Sequence, residues 1–155
     1  MPQSPYQLNV LQKTDLKEAA NVYSHAFVEP WGEAALLDLL RMKGAFGYRV
    51  IDNASKKLVA FVLARSLFEE GEILTIAVDP LAQGKGLAFT LMQAAEAQSK
   101  AQGAEKMFLE VAADNKGAQR LYKKLGYEEL SRRKGYYKRA GGIRVDAYNL
   151  WKKLQ

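Results

Sequence analysis

Weak apolar–polar alternation over residues 6–12 predicts an opening strand. Thr14 then stands where a helix N-cap is expected, and Leu16, Ala19, Ala20, Val22, Tyr23 and Ala26 follow at helical spacing. Pro30 and Gly32 break that pattern, residues 33–41 resume it with Leu36, Leu37, Leu39 and Leu40, and Gly44 and Gly47 end it. Two apolar runs, 48–51 and 58–67, flank the polar turn Asp52-Asn53-Ala54-Ser55 in the pattern of a hairpin. A second turn at Glu69-Glu70-Gly71 leads into residues 73–78, a strand of buried type that stops at Asp79-Pro80. Leu87, Phe89, Leu91, Met92, Ala95 and Ala97 predict a helix over 86–102, closed by Gly103. A strand over 106–111 and a helix over 117–125 follow, the helix ended by Gly126 at its C′ position. Two last strands, roughly 129–138 and 145–151, flank Gly141-Gly142.

The order β-α-α-β-β-β-α-β-α-β-β predicts a mixed sheet with helices packed on its faces, in one layered α/β domain spanning residues 1–155. No repeat, low-complexity tract or linker marks a second domain.

Composition narrows the class. At 48% apolar and 26% charged residues the chain is an ordinary globular one, and no apolar run approaches the ~20 residues that span a bilayer. The start Met1-Pro2-Gln3-Ser4-Pro5 lacks the basic and apolar stretches of a secretion signal. The absence of cysteine removes disulfides, thiolate metal sites and thiol nucleophiles, and with a single histidine it disfavours a transition-metal site. A cytoplasmic protein without a metal is the expectation. The net charge of +6 gathers from Arg132 through Lys153 and around Lys116, Arg120, Lys123 and Lys124. A basic surface attracts any polyanion, but no nucleic-acid motif accompanies it, and taken alone the charge reads first as a solvated basic face.

The chemistry begins at Gln83-Gly84-Lys85-Gly86-Leu87-Ala88, which joins a strand to a long helix. Two glycines at a helix start predict a sharp bend or a close approach of backbone to a ligand. Unpaired amides and the positive end of the helix dipole make such a start a cradle for phosphate. Glycines that only relieve a turn give the same pattern. There is no G-x-G-x-x-G, and Lys85 lies between the glycines rather than after them, so dinucleotide-binding and P-loop signatures are both missing.

In its setting the loop is more specific. Gln83-x-x-Gly86-x-Ala88 after Ile76-Ala77-Val78-Asp79-Pro80, then Phe108-Leu109-Glu110-Val111, then the run from Asn115 through Leu121-Tyr122 to Gly126-Tyr127, resemble in order the motifs of GCN5-related N-acetyltransferases. Leu109-Glu110-Val111, the tail Arg132-Arg133-Lys134-Gly135-Tyr136-Tyr137 with Asp146-Ala147, and His25-Ala26-Phe27 with Pro30-Trp31 are similar to the RimI-type branch, which acetylates protein N-termini. Ala88 stands where a glycine is frequent, and the Gly141-Gly142 loop and basic tail depart from that branch.

The resemblance implies a mostly antiparallel sheet of about six to seven strands, helices on both faces, and a splayed notch after the fourth strand. It implies acetyl-CoA as cofactor, with pantetheine on the backbone of Ile76, Ala77 and Val78 and Val78 donating to an oxyanion. Pyrophosphate would lie on the amides of Gly84, Lys85, Gly86, Leu87 and Ala88 beside Gln83, and Asn115 would reach the pantetheine arm. Glu110, a carboxylate between apolar neighbours, is by its residues alone either structurally paired or functional; the resemblance makes it the general base, acting through water, a role that a pKa raised by burial would suit. Tyr122, alone more a core residue than a catalyst, becomes the general acid.

Trp31, Tyr136 and Tyr137 are candidates to line an acceptor groove, with sheet packing as the alternative. Lys85 and Arg120 either add charge near the phosphates or are solvated, His25 fits a structural or substrate-side role, and Glu69, Glu70 and Glu72 either attract an amine or solvate a turn. The implied acceptor is a protein N-terminus, with a ribosomal protein as in RimI relatives. A small amine and a non-catalytic nucleic-acid- or ribosome-binding module are the alternatives.

Overall fold

The computed structural model describes residues 4–27 and 31–155; Met1, Pro2, Gln3 and Pro30, used above for the chain start and the first helix break, lie outside them. The elements are β1 (Tyr6–Val10), α1 (Leu16–Ala26), α2 (Glu33–Leu40), β2 (Ala45–Asp52), β3 (Leu58–Leu67), β4 (Glu70–Val78), α3 (Leu87–Ala101), β5 (Lys106–Ala112), α4 (Lys116–Lys124), β6 (Glu128–Lys138) and β7 (Arg144–Lys153). Short 3-10 turns stand at Lys13–Asp15, Pro80–Ala82 and Ala140–Gly142.

The sheet has seven strands in the order β1-β2-β3-β4-β5-β7-β6. Only β4 and β5 run parallel. Each face carries its own apolar cluster. Val62, Ala64, Ile73, Met107, Leu109 and Val111 pack with Leu91 and Met92 of α3 and Tyr122 of α4. On the other face Phe61, Leu63 and Ala77 pack with Leu16, Ala19 and Val22 of α1 and Leu36 of α2. Helices on both faces are therefore observed. No helix among the described residues is long and apolar enough to cross a membrane.

Two features open the sheet at its centre. β4 and β5 pair only over Glu70–Glu72 and Lys106–Phe108. Just beyond, the register of β4 on β3 slips between Thr75, opposite Leu63, and Ile73, opposite Ala64, leaving Leu74 as an extra residue. This bulge inverts the alternation: Ile73 packs in the first cluster and Ala77 in the second, while Ile76 and Val78 turn back to the first. It also bends β4 away from β5. The notch after the fourth strand begins there.

Three local expectations are corrected. Thr14 does not cap α1; the chain turns through Lys13–Asp15, where Asp15 Oδ2 accepts the Gln12 amide at 2.7 Å, and the buried Asp15 carboxylate pairs with Arg49. Gly47 does not end a helix but lies inside β2, where a β-carbon would sit 2.8 Å from the Val62 carbonyl oxygen and 2.9 Å from Leu11 Cδ2. Gly71 is in β4 rather than in the turn, since a β-carbon there would meet Met107 Sδ at 2.6 Å and Ser99 Oγ at 2.9 Å. Both glycines answer to neighbours distant in sequence.

Gly44 carries a different demand. Its φ is +80°, and a β-carbon would fall 2.2 Å from the Ser66 carbonyl oxygen. Gly44→Ala combines left-handed strain with a clash against backbone that cannot rotate away. The expected cost is about 2–5 kcal/mol, read as a lower urea midpoint with an unchanged slope. A loss below 0.5 kcal/mol would contradict the packing described.

Candidate active site

The walls of the notch are strand edges. The Asp79 amide donates to the Val59 carbonyl of β3 at 2.8 Å, and Ala77 stands opposite Phe61 in the same ladder. Alternation therefore turns the main-chain groups of Ile76 and Val78 away from β3 and into the gap. Ala77 faces β3 with its backbone, and its side chain is buried among the α1 residues. The Val78 carbonyl accepts from Gln83 Nε2 at 3.3 Å, which leaves the Val78 N–H as the open group at that wall. Across the gap, the Ala113 amide donates to the Asp146 carbonyl of β7 at 2.8 Å, so Glu110 and Ala112 present their backbone to the gap. Gln119 Nε2 donates to the carbonyls of Ala112 and Ala113 at 3.1 and 2.9 Å. Two glutamines thus occupy carbonyls on opposite walls, and amides remain available.

Past Val78 the chain turns through Pro80–Ala82 and enters α3 over Gly84 and Gly86, both left-handed with φ of +79° and +78°. α3 has no side-chain cap. Its first intrahelical bond runs from the Thr90 amide to the Gly86 carbonyl, and none of the amides from Gly84 to Phe89 finds an acceptor among the described residues. Nothing lies within 4 Å of where a β-carbon at Gly84 or Gly86 would stand. A run of unpaired donors at the positive end of a 15-residue helix, with free space before it, fits a phosphate group. Lys85 is exposed beside it, and Arg120 is exposed on α4.

Glu110 lies on the sheet face opposite the buried Leu109 and Val111, as alternation predicts, and its side chain is 25% exposed. Both its oxygens are engaged from β6. Oε2 accepts from Arg133 Nε and Nη2 at 3.2 and 2.9 Å, and Oε1 accepts the Tyr137 hydroxyl at 2.9 Å. Burial first, and the Glu110 carboxylate second, push the Tyr137 hydroxyl well above its ordinary range. Tyr136 stacks edge-on against Tyr137 and carries the Arg133 guanidinium over its own ring, 3.7 Å from the centroid. Beside Glu110, Glu72 has its pKa raised by burial, an effect opposed by Arg65 and reinforced by Glu110 and Glu70. Glu70 and Glu72 line a depression of about 270 Å³ with Arg65, Leu67, Gly71 and Phe108, at the paired end of the notch. A larger cleft of about 720 Å³ between α3 and the ends of β6 and β7 holds none of the candidate residues.

Tyr122 is in α4 and 5% exposed, edge-on to Tyr127 at 5.9 Å. Its hydroxyl has no hydrogen-bond partner among the described residues, and burial pushes its pKa up to about 12. Asn115 caps α4, its Oδ1 accepting the Ala118 amide at 3.1 Å, so only its Nδ2 remains to reach a ligand. Trp31 stacks on Tyr23 at 5.6 Å, and Tyr23 stacks on Phe27 at 4.5 Å. Burial raises the Tyr23 hydroxyl pKa and the nearby Thr75 side chain of β4 lowers it, which places these rings on the α1 side of the notch. His25 Nδ1 stands 3.8 Å from the Asp79 carboxylate.

Some partners were not legible as such. Arg133 and Gln119 fall inside the matched motifs without a role of their own there, and Tyr23 and the Asp114–Arg139 pair, whose closest contact is 2.8 Å, fall outside them. The signal for Arg133 is its place in the tail Arg132-Arg133-Lys134-Gly135-Tyr136-Tyr137, although an irregularity in the β6–β7 ladder between Arg133 and Tyr137 breaks simple alternation there. Several cations counted above as basic surface are neutralised in place: Arg132 by Glu129, Arg133 by Glu110, Arg139 by Asp114 and Lys152 by Glu96.

A sheet opened between two parallel strands, with unpaired amides beside the opening and a carboxylate on the strand of its far wall, can accommodate an extended, phosphate-bearing ligand. Residues 16–127 match the acetyltransferase (GNAT) family, and the chain belongs to that family. It is an N-acetyltransferase, of a family whose cofactor is acetyl-CoA. The chain is 30% identical over 140 residues to the [ribosomal protein bS18]-alanine N-acetyltransferase of Escherichia coli K12, covering 90% of this chain and 92% of that protein. It is 30% identical over 152 residues to the N-alpha-acetyltransferase RimI of Mycobacterium tuberculosis, covering 94% and 91%. The crystal structure of the ribosomal-protein-S18-alanine N-acetyltransferase from Escherichia coli superposes with a TM-score of 0.88 at 28% identity, covering 97% of this chain and 94% of that one. The RimI-like character seen in the sequence is borne out.

Proposed function

We propose that this chain, acting as a single domain over residues 1–155, acetylates the α-amine of a protein N-terminus, with a ribosomal protein as acceptor and the cytoplasm as its place of action. The observation that carries the reading is the opened sheet: the Val78 amide of β4 is turned into the gap, and β5, the other wall, carries the Glu110 carboxylate on its face. Relatives named for acetylating the alanine of ribosomal protein bS18, alike over nine-tenths of the chain, support the acceptor class.

Acetyl-CoA supplies the acetyl group as a thioester. The amides from Gly84 to Ala88 hold its pyrophosphate, Gln83 ties that loop to β4, and Ile76, Val78 and Asn115 pair with the pantetheine arm. Ala77 shapes the wall behind them. The Val78 N–H donates to the oxygen on which negative charge develops, a contribution of about 2.7–4 kcal/mol where such donors have been removed. Glu110 takes the proton of the incoming amine through water, and Tyr122 Oη gives one to the departing sulfur. Trp31, Tyr136 and Tyr137 border the acceptor's approach.

Two measurements test this. At about 100 times its dissociation constant, acetyl-CoA should stabilise the fold by ~2.7 kcal/mol, raising Tm by about 5–11 °C; no shift at saturation would remove the cofactor assignment. A panel of N-terminal peptides, with alanine-first sequences included, and small amines such as polyamines should show transfer to peptides with the higher kcat/KM. Preference for a small amine would overturn the acceptor class.

A further inference from the structure

Glu110 sits on β5, and the groups that hold it come from β6, which is not the neighbouring strand: β7 runs between them. Arg133 pairs with Ala147 on β7, and Ala147 with Ala112 on β5, so the guanidinium crosses a buried alanine to reach the carboxylate. The methyl group of Ala147 leaves the passage clear. An ionised carboxylate offers about four acceptor positions, two on each oxygen. Arg133 Nε and Nη2 take both on Oε2, the Tyr137 hydroxyl takes one on Oε1, and one position on Oε1 is left. The same guanidinium lies over the ring of Tyr136, which is 48% exposed at the surface.

We infer that Arg133 is a positioning residue for the acetyl transfer: it occupies Oε2 of Glu110, leaves Oε1 as the only oxygen free to take the proton, and links that orientation to the exposed Tyr136 at the acceptor's approach. The inference rests on Glu110 being the base. Without Arg133 only Tyr137 holds the carboxylate, whose plane is then free to swing about its last torsion, so productive alignment is lost part of the time. Misplacement on the scale of 1 Å can cost about 10²-fold. Stability is nearly untouched, because Arg133 is half-exposed and surface ion pairs contribute about 0–1 kcal/mol.

The test is a double-mutant cycle on the full chain with acetyl-CoA and an N-terminal peptide. Arg133→Gln is expected to lower kcat about 10- to 100-fold, with peptide KM and acetyl-CoA affinity within about threefold of the parent. Arg133→Lys, which keeps the charge but not the two-pronged contact, should recover only part of the loss. In a Glu110→Gln background Arg133→Gln should change kcat by less than about twofold, since it acts through a group no longer able to take the proton. A multiplicative loss there would show that Arg133 acts independently of Glu110 and overturn the inference. Slow turnover in Glu110→Gln with wild-type kcat in Arg133→Gln would overturn it and leave the base standing. Wild-type turnover in Glu110→Gln would remove the base and the inference together.

Discussion

Glu110→Gln lowers kcat by about 10²–10⁴-fold at saturating peptide, the range that separates general-base catalysis from its absence. The amide keeps the shape of the carboxylate and can still accept from Tyr137 through its oxygen, but it cannot take a proton at neutral pH. Acetyl-CoA affinity should stay within about twofold, because the amides proposed to hold the pyrophosphate belong to the loop before α3 and not to β5. Calorimetric titration of acetyl-CoA beside steady-state rates separates the two effects. Turnover within threefold of the parent would take the role from Glu110, and the neighbouring Glu72, on the same face with a raised pKa, would be the next carboxylate to replace.

Tyr122→Phe should cost a comparable factor in kcat by removing a single oxygen. The hydroxyl has no partner among the described residues, so its loss leaves no buried group stranded, and Tm should change by less than about 2 °C. Burial holds the phenol at about 12 against an ordinary 10.0, which keeps the proton in place over the working range of pH. The sign of the linked stability follows. A group whose pKa rises on folding contributes stability that is complete below its unfolded pKa and declines as pH climbs through the folded one. The parent should therefore lose stability between pH 10 and 12, and the phenylalanine variant should lose less over that window. Wild-type kinetics in the variant would end the acid assignment; equal alkaline melting curves would contradict its burial.

The site was legible where chemistry is local. Gly84 and Gly86 stand at a helix start and Glu110 interrupts an apolar run, so each declared itself against its immediate neighbours. Strand and helix identity followed from periodicity with small errors at the ends, as β2 shows by beginning at Ala45 rather than at residue 48. Gly47 and Gly71 misled because a glycine in a strand looks like a terminator when the side chains that exclude its β-carbon, Leu11, Ser99 and Met107, lie far along the chain. The bulge at Leu74 was invisible in a uniformly apolar stretch. Arg133 looked like one more surface cation because its partner lies two strands away, across a β7 whose position between β5 and β6 no local pattern encodes.

The open walls of the notch also bear on how this enzyme tolerates sequence drift. What Ile76 and Val78 offer a ligand is main chain, the same whatever side chain hangs from it. Substitutions along this stretch of β4 are constrained by packing against the sheet's apolar cluster, not by recognition, so one aliphatic residue can replace another without altering what is bound. Proline alone deletes an N–H. With the cofactor placed as proposed, the binding determinant is nearly silent at the level of residue identity, and a lineage can rewrite its letters while the cofactor continues to meet the same donors.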